Sequence, residues 1–133
     1  MTLVVDASFV TAALQGADSS LGDWTVETCR GHDLFAPQLL PVEVAGALRR
    51  AELIGALSPG VASLAHRDLV ALGLQLAPYE PLAERIWELR HAVTPYDAWY
   101  VALAEALDAP LATLDLRLTR ANGPTCTFLT PPD

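Results

Sequence analysis

Four acidic residues interrupt otherwise apolar sequence, and carboxylates in such places can do chemistry. Asp6 ends the run "TLVVD" and Asp115 ends the run "PLATLD". Each precedes a segment typical of a helix, so each is also a good helix N-cap. Asp97 follows Thr94 by three residues, which makes an approximate capping box. Glu43 has the same place after a proline, but only leucine precedes that proline, so capping does not explain it.

The four acids are expected to share one edge of a parallel sheet. In parallel α/β folds the carboxyl ends of strands and the amino ends of helices meet at one edge, where ligands bind. Four like charges there repel one another and raise one another's pKa values. Such a cluster needs cations, and oxygen ligands select hard ions, here one or two Mg²⁺ or Mn²⁺. Carboxylates that hold one or two such ions can catalyse phosphodiester hydrolysis, because the ions activate a water and stabilise the leaving oxygen.

The elements that position these acids alternate between short apolar strands and helices. Predicted strands are residues 2–6, 33–37, 74–79, 110–115 and 126–131. Predicted helices are 7–16, ending at Gly16, then 19–31, 40–57, 58–73, 80–93 and 95–107, and residues 116–122 are predicted to be a short helix or a turn. The positions predicted to face the core are Leu40, Val44, Ala47, Leu48, Ala51, Val61, Ala65, Leu69, Leu72, Leu82, Ile86 and Leu89. The pattern indicates a single α/β domain over residues 1–133, built around a parallel sheet.

Composition narrows the class of protein. Hydrophobic residues make up 52 % of the chain and charged residues 18 %, and no apolar run reaches the length of a membrane span. The N-terminus lacks the basic start of a signal peptide, so we expect a cytoplasmic protein. Cys29 and Cys126 are expected to be free thiols. His32, His66 and His91 have no mutual spacing that suggests a site.

Three segments together resemble a known family. These are "VVDAS", "PVEVAGALRR" and "TPYDAWYVALAEALDAPLATLD", and in this order and length they resemble a PIN-domain ribonuclease, more narrowly the VapC toxins of bacterial type II toxin–antitoxin systems. No single segment is specific, whereas the ordered set of four acids is. The resemblance covers essentially the full chain. It implies a PIN-like three-layer α/β/α sandwich with a short parallel sheet of about 4–5 strands.

The resemblance also implies an activity and its residues. It implies a Mg²⁺- or Mn²⁺-dependent endoribonuclease whose catalytic and metal-binding residues are Asp6, Glu43, Asp97 and Asp115. Asp6 and Asp97 would hold the principal ion, and the other two would complete the site directly or through water. Ser8 and Thr113 fall where small hydroxyl residues would orient these carboxylates. Capping or an ordinary strand end explains Ser8 and Thr113 equally well.

The resemblance further implies partners. A cognate antitoxin of the VapB kind would cover the active site, and the chain would form a homodimer. The apolar helices at 40–57 and 58–73 could form a groove for an amphipathic partner helix. Plain core packing explains the same apolar stripes, and the sequence does not decide between the two.

The net charge of −8 restricts the substrate. The eight basic residues are all arginine, and removing the four proposed site acids still leaves −4. Phosphate contacts need cations, and the candidates are Arg49, Arg50, Arg117 and Arg120. Solvated helix faces or salt bridges explain the same arginines. A weak basic rim predicts a restricted, structured RNA recognised by shape, such as tRNA or rRNA.

Three other functions fit parts of the pattern. A phosphatase of the haloacid-dehalogenase type would need a second aspartate at position 8, where Ser8 stands, and a lysine, which the chain lacks. A receiver-like module that binds Mg²⁺ would need a lysine and paired acids after the first strand. A PIN domain that binds without cutting would not need the complete set of acids. A non-catalytic Mg²⁺-binding α/β module that binds RNA or a partner protein therefore stays the alternative to the nuclease.

Overall fold

A computed structural model describes residues 1–15 and 19–133. In these residues a five-stranded parallel sheet is flanked by seven helices, with strand order β3-β2-β1-β4-β5. In chain order the elements are β1 Thr2–Val5, α1 Ala7–Gln15, α2 Ser20–Cys29, β2 Asp33–Pro37, α3 Leu40–Leu53, α4 Pro59–Ala71, β3 Gln75–Ala77, α5 Ala83–Glu88, α6 Pro95–Leu107, β4 Leu111–Ala112, α7 Leu116–Thr119 and β5 Phe128–Leu129.

The sheet is wound in two directions from its central strand. The chain runs from β1 outward to β2 and β3, then returns through α5 and α6 to β4 on the other side of β1. Because parallel crossovers are right-handed, α1–α4 cover one face and α5–α7 the other. This confirms the predicted three-layer α/β/α fold. It also creates a topological switch point between β1 and β4, where ligands bind in such sheets.

The middle of the sheet is buried on both faces. Leu3, Val4 and Val5 of β1 are fully buried, and Val4 lies between Phe35 of β2 and Leu111 of β4. Burial on both faces explains why β1 is a continuous apolar run rather than an alternating one. The residue that follows β1 is therefore held in a rigid frame at the switch point.

Helix α6 crosses this central region. Thr94 caps its first turn, with its hydroxyl accepting a hydrogen bond from the Asp97 amide, and Pro95 takes the first helical position. Six of its residues are buried, and α6 packs against β1, β2 and β4. The first turn of α6 is thereby fixed beside the end of β1.

Several predicted boundaries were wrong by a few residues. Helix α3 ends at Leu53 rather than 57, because Gly55 adopts φ +80° and the amides of Gly55 and Ala56 bond back to the carbonyls of Glu52 and Ala51. This arrangement is a Schellman C-cap. The predicted end of α1 at Gly16 lies outside the described residues.

Other differences concern the segment 80–93 and the strands. The predicted helix 80–93 is a 3₁₀ turn at Glu80–Leu82, then α5, then a second 3₁₀ turn at Leu89–His91. Strands β3, β4 and β5 are shorter than predicted and have only two or three residues each. Val61 is exposed rather than buried, because the inner stripe of α4 consists of Ala62, Ala65 and Leu69.

Two predictions from composition can be compared with the structure. No helix in the described ranges is long and apolar enough to cross a membrane. Cys29 and Cys126 are free and partly buried. Burial raises the pKa of the Cys126 thiol to about 11, so it is protonated at neutral pH.

Candidate active site

Asp6 stands at the switch point, one residue after β1. Its side chain is buried, and its Oδ1 accepts hydrogen bonds from the Ser8 hydroxyl (2.6 Å) and the Phe9 amide (2.9 Å). Its Oδ2 accepts a hydrogen bond from the Thr113 hydroxyl. Burial raises the pKa of Asp6 and the charge of Asp115 raises it further, while the three hydrogen bonds oppose both. Asp6 therefore caps α1 and is also a buried carboxylate in a fixed orientation.

Two hydroxyl groups connect Asp6 to the end of β4. Ser8 Oγ accepts a hydrogen bond from the Leu114 amide (3.1 Å), and Thr113 Oγ1 accepts one from the Asp115 amide (3.0 Å). Thr113 is fully buried. Each hydroxyl thus donates to Asp6 and accepts from the loop that carries Asp115. These contacts fix the two acids relative to one another, which is the geometry that an orienting role requires.

Asp97 lies in the first turn of α6 and makes only half of a capping box. Its amide donates to the Thr94 hydroxyl (3.3 Å), but in the described residues no donor reaches its carboxylate. Burial raises the pKa of Asp97, and the charges of Asp115, Asp6 and Glu43 raise it further, while the charge of Arg117 opposes them in part. Capping therefore explains the start of the helix but leaves the carboxylate without a hydrogen-bond donor in the described residues.

Glu43 lies in the first turn of α3 and is held by a tyrosine. The Tyr100 hydroxyl, from the buried face of α6, donates to Glu43 Oε1 at 2.6 Å. Burial and this hydrogen bond raise the pKa of Tyr100, so the phenol stays a donor at neutral pH. Tyr100 is not among the site residues predicted from the sequence. No local signal could show this contact, because the two residues are 57 positions apart.

Asp115 follows β4 and caps the short helix α7. Its Oδ1 accepts hydrogen bonds from the amides of Arg117 (3.0 Å) and Leu118 (3.4 Å), and the Arg117 side chain lies 3.8 Å away. Only about a third of the Asp115 side chain is exposed, whereas the Arg117 side chain is 93 % exposed. Asp115 is thus partly neutralised by its own helix.

The four acids lie at one edge of the sheet but do not form a closed cage. Asp97 is affected by the charges of the other three, and Tyr100 by those of Glu43, Asp6 and Asp97. Within residues 1–15 and 19–133, no three His, Cys, Asp or Glu side chains are placed so that they could hold a metal ion as they stand. The arrangement is an open set of oxygen donors rather than a preformed coordination sphere.

Two clefts open beside this edge. The first, of about 610 Å³, is lined by Asp97 and Asp115 and by Arg117. The second, of about 500 Å³, is lined by Ser8, Glu43 and others on α1 and α3, with Arg50 among them. A polymer lying across the edge would therefore meet acids in the middle and an arginine on either side.

The other arginines predicted to contact phosphate lie elsewhere. Arg49 lines a separate groove with Glu52 and His66, and Arg120 is exposed after α7 without lining either acid cleft. The first cleft instead contains Arg90 and His91, from the 3₁₀ turn before α6. Neither residue was predicted to lie at the site, because the turn falls inside a segment that the sequence predicts as one continuous helix.

Comparison with known proteins shows which family this chain belongs to. The PIN-domain family model matches residues 3–124, which include all four acids. The chain belongs to the PIN-domain family, in its VapC branch. Ribonuclease VapC1 of Mycobacterium tuberculosis is 46 % identical over 92 % of this chain and 92 % of its own length. The predicted family is confirmed.

Solved structures agree with this PIN fold. Rickettsia felis VapBC2, bound to a DNA fragment from its promoter, matches 98 % of both chains with a TM-score of 0.69 at 12 % identity. Mycobacterium tuberculosis VapC20, a toxin that cleaves the sarcin–ricin loop, matches 89 % of this chain and 93 % of its own with a TM-score of 0.65 at 16 % identity. At these identities the likeness supports the fold of this PIN domain and not its substrate.

Proposed function

We propose that this PIN domain is a Mg²⁺- or Mn²⁺-dependent endoribonuclease toxin that hydrolyses phosphodiester bonds in a restricted, structured RNA. The observation that carries the proposal is the carboxylate of Asp97. It is half-buried, no donor in the described residues reaches it, and three other carboxylates raise its pKa. Such an acid lowers the stability of the metal-free fold on balance, and a cationic ligand would explain why the site contains it.

The donor chemistry of the site fits a hard divalent cation. Asp6 and Asp97 would hold the principal ion, and Glu43 and Asp115 would complete its surroundings directly or through water. All four side chains offer oxygen, which suits Mg²⁺ or Mn²⁺ rather than zinc or copper. When bound, one or two such ions would supply an activated water and stabilise charge on the leaving oxygen.

The contribution of the chain itself is to hold and orient these oxygens. Ser8 and Thr113 fix both oxygens of Asp6, and Tyr100 fixes one oxygen of Glu43. Asp97 projects from a helix start set by Thr94. Orientation of this kind fixes donors before the substrate arrives, which is the main source of rate enhancement in phosphoryl transfer.

The proposed substrate class is supported by the relatives and by charge. The curated VapC relatives are named ribonucleases, and the VapC20 toxin is described as cleaving the sarcin–ricin loop. With a net charge of −8 and few exposed arginines beside the acids, the chain is a poor binder of arbitrary single strands. Arg50 and Arg117 line the clefts that flank the acids and are the proposed phosphate contacts. We therefore propose a folded tRNA or rRNA, recognised by shape.

A partner protein completes the proposal. The R. felis relative of this fold was solved as a VapBC complex. In this chain the tip of the α3–α4 pair exposes Leu53, Ile54, Val61 and Leu64, each about half exposed or more. Such an apolar surface suits an amphipathic helix from a VapB-like antitoxin that then covers the acids. A homodimer in the cytoplasm is part of the same proposal.

The experiment is RNA cleavage by the purified chain. Total RNA from bacteria is incubated with the chain and Mg²⁺, and the ends of the products are sequenced. We expect a few discrete cuts in tRNA or rRNA, loss of cleavage in EDTA with recovery on Mg²⁺, and no cleavage by Asp6→Asn. Asp23→Asn, an exposed first-turn acid on α2, is the matched control. RNA binding without cleavage would favour the non-catalytic module instead.

A further inference from the structure

Arg90 lies at the rim of the cleft that contains Asp97 and Asp115. It belongs to the 3₁₀ turn Leu89–His91, four residues before α6 begins. Leu89 of the same turn is buried in the core and anchors the turn. The Arg90 side chain therefore leaves the backbone from a fixed point beside the acids.

The guanidinium of Arg90 is held flat on an exposed tryptophan. Its Cζ lies 4.5 Å from the centre of the Trp87 ring, and its Nη1 donates a 2.8 Å hydrogen bond to the Trp87 carbonyl. Trp87 is 62 % exposed, so its ring lies at the surface and is not part of the hydrophobic core. A stacked and hydrogen-bonded guanidinium loses less freedom when it binds a ligand than a free one does. Its remaining N–H donors are not used by this contact.

The charge of Arg90 is not neutralised by an acid. In the described part of the chain, Arg30 and Arg85 pair with carboxylates and Arg117 lies 3.8 Å from Asp115, whereas Arg90 makes no ion pair. An anionic ligand that approaches the acid cleft is repelled unless cations at the rim compensate. Arg90 is a preorganised cation at that rim.

We propose that Arg90, positioned by Trp87, binds a phosphate of the RNA strand that enters the acid cleft. The proposal rests on the proposed ribonuclease function and adds a specific contact to it. Guanidinium N–H groups match phosphate oxygens in geometry and charge. One face of the guanidinium is covered by the indole, so the contact is made by its N–H edge. Trp87 is then a positioning residue and not a phosphate ligand.

The test is the salt dependence of RNA binding. All proteins carry Asp97→Asn so that the probe, a folded bacterial tRNA labelled at one end, is not cut. Affinity is measured by fluorescence anisotropy over a series of KCl concentrations. Losing one phosphate contact lowers the slope of log affinity against log salt by about 0.7 for a single strand. The variants are Arg90→Ala, Trp87→Leu and the control Arg67→Ala, an exposed α4 arginine outside both acid clefts.

We expect Arg90→Ala to lower affinity about fivefold to tenfold near physiological salt and to lower the slope by about 0.7. Trp87→Leu should lower affinity about threefold with an unchanged slope, because Arg90 still contacts the phosphate but is no longer held in place before binding. Arg67→Ala should match the parent. In the cleaving protein, Arg90→Ala should raise KM by a similar factor and change kcat by less than about twofold.

Several results would overturn the contact. An Arg90→Ala slope equal to that of Arg67→Ala would exclude a phosphate contact. Weaker binding with an unchanged slope would indicate stacking on a base instead, and would overturn the proposal. An unaffected Trp87→Leu protein would remove the positioning role. The two proposals can fail separately. If the chain cuts RNA but Arg90→Ala binds RNA normally, only the proposed Arg90 contact is wrong. If the chain binds RNA through Arg90 but does not cut it, only the proposed nuclease activity is wrong.

Discussion

Asp97→Asn should make the metal-free protein more stable. The substitution keeps the shape of the side chain, and the Thr94 cap is retained because it uses the backbone amide of residue 97. It removes a charge that is half-buried, lacks a donor among the described residues and is repelled by three other acids. A residue kept for function rather than stability is expected to behave in this way.

The magnitude follows from the neighbours of Asp97. Each like-charge interaction at a partly solvated edge costs about 0.5 kcal/mol, so three cost about 1.5 kcal/mol. A carboxylate in the first turn of a helix gains about 0.5 kcal/mol from the helix dipole, and the asparagine loses it. The cost of burying the charge and the attraction of Arg117 act in opposite directions, and we take them as offsetting one another. The net gain in free energy of unfolding is about 1 kcal/mol. In a domain of this size that raises Tm by about 3–5 °C.

The gain should depend on pH with a definite sign. The pKa of Asp97 is raised in the folded state above its usual value of 3.8. Below the usual value the carboxyl is protonated in both states, so parent and variant are equally stable there. As pH rises through the raised folded pKa, the folded parent ionises at a cost and loses stability relative to the variant. The full difference is reached at neutral pH.

The assay is thermal unfolding of both proteins in EDTA, at neutral pH and again in acid below the usual pKa of aspartate. Asp23→Asn is the control, since Asp23 also lies in a first helical turn but is exposed on α2. It should lose up to about 0.5 kcal/mol through the helix dipole. The claim that the acids repel one another would be refuted if Asp97→Asn were no more stable than the parent at neutral pH. It would also be refuted if the gain in stability persisted in acid.

Three further substitutions test the groups around the acids. Thr113→Val should cost about 2–3 kcal/mol of stability and lower cleavage about 10–100-fold, because buried Asp6 loses a donor. Tyr100→Phe should cost about 1 kcal/mol and lower cleavage about tenfold, because Glu43 loses its orienting hydroxyl. Arg85→Ala should cost about 2 kcal/mol, through a partly buried bidentate ion pair remote from the acids, and leave cleavage unchanged. Urea unfolding and cleavage rates measure all three.

Each of these substitutions has a matched control. Thr119→Val and Tyr79→Phe should each change stability by less than about 0.5 kcal/mol and leave cleavage unaffected. Arg30→Ala, in an exposed pair with Glu27, should behave likewise. If Thr113→Val or Tyr100→Phe cleaves RNA as fast as its control, the orienting role is contradicted. If Arg85→Ala is as stable as Arg30→Ala, the ion pair contributes nothing.

The fold could be predicted because the strong local signals agree with the topology. Thr94 and Pro95 begin α6 as the sequence indicates, and the apolar run 2–5 is a strand buried on both faces. Boundaries were less predictable where several signals compete. Apolar sequence continues past Leu53, but the left-handed conformation of Gly55 ends α3 there. The local sequence pattern does not show which of these two signals is the stronger.

The site could be predicted only in part, because its contacts join distant segments. The acids were visible because carboxylates interrupt apolar sequence where strands end and helices begin. The Tyr100–Glu43 bond and the stacked Arg90 depend on how α3, α6 and a 3₁₀ turn pack, which no sequence period encodes. The roles of the four acids in catalysis stay a prediction that only activity can test.

The most direct test of the central claim is the single-turnover cleavage rate of Asp97→Asn at saturating Mg²⁺, on the RNA that the parent cuts. If the acid cluster is the catalytic centre, the rate should fall at least about 1,000-fold, in a protein that is folded and more stable than its parent. A rate within about tenfold of the parent, with Asp23→Asn unchanged, would contradict the claim.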